Sequence, residues 1–302
     1  LPAIEVSELR KSYGSFEAVS GVSFSVAVGE VFCLLGPNGA GKTTIAEILE
    51  GYRSRNAGEV SVLGHDPAGG PRALRERVGI VLQSCGVQSD LTVAELIEMY
   101  GRYHEKRRGV KELIDMVELD AKSDTLARQL SGGQRRRLDL ALALVGDPDL
   151  IFLDEPTTGF DPHARRQAWS TIRSLCDLGK TIFLTTHFMD EAQTLADRVA
   201  VMRTGAIVAI DRPEQIGGRE LRATEIRFHL PAGKAAIKLP DLADVEIKRD
   251  GALVVIQTHD PVRAVATITN WSIKSGVELV SFSVTQPTLE DIYLELTGAG
   301  SQ

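Results

Sequence analysis

The sequence predicts an α/β chain in which a mixed central sheet carries an antiparallel β subdomain and a helical subdomain, with a small α+β appendage at its C-terminal end. Three observations lead there. Val31-Phe32-Cys33-Leu34-Leu35, Leu150-Ile151-Phe152-Leu153 and Thr181–Thr186 are short, largely apolar runs of the kind that parallel strands covered on both faces require. Residues 87–145 place apolar side chains at helical spacing, and beyond residue 222 the pattern turns to alternation. The 302 residues suit two domains, expected at 1–218 and 219–302, and 43% hydrophobic residues suffice for a real core.

In chain order, residues 4–9 and 22–28 alternate apolar with polar or small residues and read as half-buried antiparallel strands, with a turn at Tyr13-Gly14-Ser15. The run Val31–Leu35 ends on Gly36-Pro37-Asn38-Gly39-Ala40-Gly41-Lys42-Thr43, and a helix follows from Thr44. Its glycines let successive backbone N–H groups turn inward, and the helix N-terminus adds partial positive charge at the same spot. That is an anion cradle. With Lys42 on the outer phosphates and the Thr43 hydroxyl on Mg²⁺, it suits a nucleoside triphosphate better than a lone phosphate. Tyr13, ahead of the loop, either stacks on a base or packs as an ordinary aromatic.

Val78–Leu82 is another short apolar strand, ending on Gln83, whose amide oxygen either ligates Mg²⁺ or caps a loop. Thr92 with Glu95 forms a capping-box pattern, and Leu96, Met99, Tyr100 and Tyr103 follow at helical spacing, then Val110, Leu113, Ile114 and Val117. The charged link 104–108 reads as a solvated turn. Ser131-Gly132-Gly133-Gln134 opens a further helix, either as a second anion site or as a plain glycine-rich cap. Leu150–Leu153 delivers Asp154 and Glu155, and paired acids at the end of an apolar strand call for a cation or a water to use them. Asp161 precedes Pro162 as a helix cap. Thr181–Thr186 brings His187 to the same sheet edge. Val199–Met202 and Ile207–Ile210, joined through Thr204-Gly205, resemble a closing hairpin. After a boundary at 212–222 the order reads β-β-β-α-β-α, with helices over 262–273 and 289–296 and a strand over 277–284.

The net charge of −7 argues against a nucleic-acid partner held by phosphate neutralisation, although Lys106-Arg107-Arg108 and Arg135-Arg136-Arg137 are local exceptions. Cys33, Cys85 and Cys176 lack a paired spacing, so neither a disulfide framework nor a zinc site is expected, and a reducing compartment is. No apolar stretch approaches the ~20 residues of a membrane span. A soluble protein is expected.

Taken together, these residues resemble the ATPase subunit of ATP-binding cassette (ABC) transporters, a phosphate-loop NTPase cassette, over roughly residues 4–215. The resemblance makes Tyr13 the adenine-stacking aromatic, Gly36–Thr43 with Thr44 the Walker A loop, and Gln83 the Q-loop glutamine. Leu130–Gln134 matches the family signature, Leu150–Asp154 is similar to Walker B, and Glu155 stands as the catalytic carboxylate. Asp161 would be the D-loop aspartate and His187 the switch histidine. Phe160 and Phe188 depart from the residues the family often has. Within the family the chain looks most like exporters of the daunorubicin-resistance type, on Gln134–Asp139, Asp154–Pro162 and Pro287–Gly298; lipid, polysaccharide and copper-maturation exporters carry similar stretches.

The resemblance implies hydrolysis of ATP with Mg²⁺ on Thr43, Gln83 and Asp154, water polarised by Glu155, and His187 on the γ-phosphate. It also implies that Ser131 and Gly133 complete the site of a second copy in a head-to-tail dimer. The dimer would power a membrane permease docked near Ser84–Thr92 on the cytoplasmic face of the cell membrane. The transported compound is expected to be a drug, an antibiotic or lipid-like. A cassette acting on ribosomes or DNA would carry two motif sets or a long coiled coil, and a small-molecule kinase would leave the signature and His187 unexplained. For residues 219–302 a structural or dimer-stabilising role is expected.

Overall fold

The computed structural model describes residues 2–81, 90–231, 233 and 237–296. The chain divides into two units, Leu1–Pro213 and Glu214–Gln302. The break therefore falls ahead of the expected 218/219 boundary, because the turn Ile216–Leu221 belongs to the second unit. Gly217, at φ 62°, lies so close to Ile292 that a Cβ would come 2.6 Å from its Cγ2, and Arg222 pairs with Glu295.

The first unit runs β1 (Ile4–Tyr13), β2 (Phe16–Val26), β3 (Val31–Leu35), α1 (Lys42–Leu49), β4 (Ala57–Val62), α2 (Arg72–Arg75) and β5 (Val78–Val81). It continues with α3 (Val93–Gly101), α4 (Val110–Met116), α5 (Gly132–Leu144), β6 (Leu150–Asp154), α6 (Pro162–Asp177), β7 (Thr181–Thr186), α7 (Met189–Leu195), β8 (Arg198–Arg203) and β9 (Ala206–Asp211). The central six-stranded sheet has the order β5-β6-β7-β3-β8-β9, parallel except for β9, which pairs antiparallel to β8. Every residue of β3, β6 and β7 is buried, as strands covered on both faces must be. The hairpin of β8 and β9 turns through Thr204 and Gly205, both at positive φ, which suits the twist of tight hairpins.

β1, β2 and β4 form a separate antiparallel sheet in the order β2-β1-β4. The sequence had not marked β4. Helices α3, α4 and α5 form the helical part, and α3 opens with the capping box expected of Thr92 and Glu95. Arg108, expected on a solvated turn, is mostly buried and bonds to Asp147 and Glu112. The basic run at Arg135–Arg137 is likewise occupied by protein partners. Arg135 donates to the Ala127 carbonyl, Arg136 to those of Asp154 and Pro156, and Arg137 to Glu118.

The second unit is a four-stranded antiparallel sheet, β10 (Thr224–His229), β11 (Val245–Asp250), β12 (Leu253–Thr258) and β13 (Val280–Thr285), ordered β11-β12-β10-β13. Its helices are α8 (Pro261–Ser275) and α9 (Leu289–Leu296). Ile226, Phe228, Val254 and Ile256 pack against Ala264 and Ile268 of α8 to make its core.

Four rings hold the antiparallel sheet onto the central one. Phe24 stacks on Phe32 at 5.1 Å, Phe32 on Phe183 at 6.1 Å, and Phe183 packs on Phe152 at 5.5 Å. Phe183 touches all three others and is fully buried. Its replacement by alanine is expected to lower the unfolding free energy, measured in urea, by about 3–5 kcal/mol; an unchanged midpoint would contradict this packing.

Candidate active site

The order β6-β7-β3 puts three strand ends side by side, and the loops that leave them carry the chemistry. At the end of β3, Gly36 leaves no room for a side chain: a Cβ would lie 2.7 Å from the Met202 carbonyl oxygen. Gly41, at φ 102°, faces the same limit, with its Cβ 2.5 Å from the Ala18 oxygen. Only glycine allows this path. The amides of Gly39, Gly41, Lys42 and Thr43 make no hydrogen bond among the described residues, as befits the start of a helix.

Helix α1 begins at Lys42 itself, two residues earlier than the sequence suggested. Its side chain folds back over the loop, donating to the carbonyls of Gly36 at 2.9 Å and Pro37 at 3.2 Å. Lys42 Nζ also lies 3.5 Å from Glu155 Oε1. Burial pushes the Lys42 ammonium down from its ordinary range, and the carboxylates of Glu155 and Asp154 oppose that. Thr43 Oγ1 sits 3.4 Å from Asp154 Oδ2, so a hydroxyl and a carboxylate, the hard oxygen ligands magnesium prefers, meet beside the cradle.

Asp154 is buried at the end of β6 and accepts a hydrogen bond from the Thr185 hydroxyl of β7. Glu155 follows at φ 45°, a left-handed conformation rare for a non-glycine residue. Its amide donates to the Thr185 carbonyl at 3.1 Å. Its carboxylate meets three groups: Lys42, His187 Nδ1 at 3.3 Å and the Thr158 hydroxyl at 3.1 Å. Burial pushes the Glu155 carboxyl up, but His187, Lys42 and Thr158 together outweigh it and hold it below the ordinary carboxylate range. The Glu155 carboxylate is therefore ionised near neutral pH. The His187 ring packs on Phe188, with centroids 4.1 Å apart, and the Arg165 guanidinium lies 4.3 Å from the centre of the Phe188 ring.

Two clefts open at this edge. One, of about 370 Å³, is lined by Tyr13, Phe16, Ala18, Asn38, Gly39, Gly41, Lys42, Thr43, Thr44 and Glu155. Tyr13 is exposed at its mouth with Lys11 and Arg53 over its ring. The other, of about 900 Å³, is lined by Ser131–Arg137 together with Glu155, Thr158–Asp161 and neighbouring residues of α6. None of Ser131–Gln134 lines the first cleft. Ser131 and Gln134 cap α5 reciprocally: Gln134 N donates to Ser131 Oγ, and Ser131 N to Gln134 Oε1. The amides left without a partner among the described residues are those of Gly132 and Gly133. Asp161 caps α6 by accepting from the amides of His163 and Ala164, and those two bonds hold its carboxyl below the ordinary range. Gln83 lies outside the described residues.

A family model described as ABC transporter matches residues 19–158, and one for the C-terminal domain of ABC transporter domain-containing protein-like chains matches 224–288. The chain is 39% identical over 303 residues to the Nod factor export ATP-binding protein I of Rhizobium meliloti (strain 1021), covering 98% of this chain and 88% of that protein. It belongs to the ATP-binding subunits of ABC transporters. Among solved structures, this ABC transporter ATPase is similar to cbiO1 from Clostridium perfringens, part of the ABC transporter complex cbiONQ. Identity there is 27% and the TM-score 0.63, over 71% of this chain and 90% of that one. It shares its fold with a dimeric, post-hydrolysis ATP-binding cassette bound to ADP and Pi (24% identity, TM-score 0.63, 69% and 98% covered).

Several residues of this ABC ATPase's site escaped the sequence reading. Phe16 beside Tyr13 and Thr185 under Asp154 carry no motif of their own, and Arg136 sat within what read as a basic run. Glu50, which follows α1, lines neither cleft but carries an unusual carboxyl. Burial, followed by the carboxylates of Asp154 and Glu47, pushes its carboxyl up to about 8. Folded Glu50 thus keeps a proton that the unfolded chain has lost above the ordinary carboxylate range, so stability falls as pH rises towards 8. Urea unfolding at about pH 5 and about pH 8 is expected to show that fall in wild type and a flatter profile in Glu50→Gln; equal slopes would contradict the burial argument.

Proposed function

We propose that two copies of this subunit close head to tail on ATP, hydrolyse it at two shared sites and so drive a membrane permease that exports an amphipathic compound. The observation that carries the reading is that the free amides of Gly132 and Gly133 belong to one cleft and the chain's own cradle to another, with Glu155 lining both. A helix start with spare N–H groups needs an anion, and a partner's triphosphate supplies one.

In this reading the loop amides and Lys42 hold the β- and γ-phosphates, and Tyr13 stacks on the adenine. Thr43 and Asp154, joined by Gln83, would hold Mg²⁺, which neutralises charge on the phosphates when bound. Glu155, ionised in this setting, accepts the proton of the attacking water, and His187 bonds to the γ-phosphate and keeps carboxylate and water in line. Lys42 changes partner on the way: its bonds to Gly36 and Pro37 give way to phosphate oxygens. The hydroxyl of Ser131, whose oxygen already accepts from Gln134, still has its proton to donate across the dimer.

The permease is expected at the surface that follows β5. Of the docking stretch Ser84–Thr92, only the last three residues are described; there Asp90 pairs with Arg128 and Thr92 caps α3. A groove of about 510 Å³ is lined by Tyr52, Val78 and Ile80 of β5, Tyr100, His104 and Asp139. Among the described residues no helix is long and apolar enough to cross a membrane; in this reading the pathway belongs to the permease. Nod factor exporters among the relatives favour a lipid-like cargo over other exported classes. The place of work is then the cytoplasmic face of the cell membrane.

Glu155→Gln is expected to bind ATP with near wild-type affinity, lose turnover by on the order of 100-fold or more, and elute as a long-lived dimer in ATP. Size-exclusion chromatography beside a phosphate-release assay checks it; wild-type turnover in that variant would strip Glu155 of its role.

A further inference from the structure

Helix α5 carries at its start the amides assigned above to the partner's phosphate, and one turn later it carries Arg136. That side chain leaves the helix and grips the loop after β6: Nη2 donates to the Asp154 carbonyl at 3.0 Å and Nε to the Pro156 carbonyl at 3.2 Å. The two acceptors flank Glu155. Between them Glu155 holds φ 45°, and its amide is fixed from the opposite side by Thr185. A non-glycine residue keeps such a backbone conformation only where its surroundings hold it there. Here they do so from two directions.

We propose that Arg136 is a positioning residue for hydrolysis: it locks the backbone on both sides of Glu155 and thereby sets where the carboxylate points. Being on α5, it also ties the aim of a chain's own base to the seating of that helix against the partner's nucleotide. The inference rests on the assignment of Glu155 as base and adds a contact that none of the motifs contains. Chemistry favours arginine for the task. Its planar guanidinium offers nitrogens in a fixed fork that reach two carbonyls at once, which a lysine ammonium on a flexible stem does not reproduce. Misplacing a reacting group by about 1 Å can cost about 100-fold in rate while leaving binding alone.

The test uses the full chain with Arg136→Ala and Arg136→Lys, each alone and combined with Glu155→Gln, read by ATP binding, steady-state hydrolysis and single-turnover assays. The expected result is a fall in kcat of about 100-fold for Arg136→Ala, with KM and ATP affinity within about twofold of wild type. Arg136→Lys should fall between the two. In the Glu155→Gln background, where the carboxylate is already gone, Arg136→Ala should lower residual hydrolysis no further. Wild-type kcat in Arg136→Ala overturns the proposal, as does an equal fold-loss with and without Glu155. Should Arg136→Ala melt early, Arg136→Lys at an unchanged melting temperature decides the matter: lowered kcat supports the proposal, wild-type kcat ends it. Full turnover in Glu155→Gln would instead remove the reading beneath it, so the two failures are distinguishable.

Discussion

The seam between β6 and β7 governs the site. Thr185 donates its hydroxyl to Asp154 and accepts the amide of Glu155 on its carbonyl, while the next residue, Thr186, accepts the Gly36 amide through its own carbonyl. One short stretch of backbone therefore sets the spacing of the acid pair, the glycine loop and His187. Parallel register supplies the rest, with Asp154 opposite Thr185 and Leu35 opposite Thr186. Were β7 to slip by one residue, every side chain on it would change face. The buried rings of Phe32, Phe152 and Phe183 make such a slip expensive.

Electrostatics at this edge are balanced around Glu155. Its carboxylate lies between Lys42 and His187, a cation and a titratable ring, and both favour the ionised form against the burial that opposes it. Lys42 is held by its own loop carbonyls, so the cradle is shaped before any phosphate arrives. Among the described residues no cluster of three or more His, Cys, Asp or Glu could hold a metal ion by itself. The pairing of Thr43 with Asp154 fits a cation that takes most of its ligands from phosphate and water, which is how magnesium is commonly bound.

Much of this was legible in the sequence, for identifiable reasons. β3, β6 and β7 announced themselves because strands buried on both faces leave no polar positions, and the residues at their ends stood out against them. Glycines at Gly36 and Gly41 marked places where backbone meets backbone. β4 was not legible, since Ala57-Gly58-Glu59 gives too little alternation for a strand whose partner, β1, lies far away in sequence. Neither were Thr185 and Arg136, whose partners sit 31 and 18 residues away across a sheet seam and a helix crossing. The break after Pro213 lies within the boundary region 212–222, where Gly217 and Gly218 look like a linker, although Gly217 is packed against Ile292.

Completion of each site by the other subunit is the claim on which the rest stands, and mixing two dead chains measures it directly. Lys42→Ala spoils a cradle and Ser131→Arg spoils an α5 start; each variant alone should hydrolyse no ATP. Combined in equal amounts they should recover hydrolysis, because a mixed dimer holds one site with an intact cradle from one chain and an intact α5 start from the other. A mixture as inactive as its components would mean that each chain works its own site, and the shared arrangement would have to be abandoned.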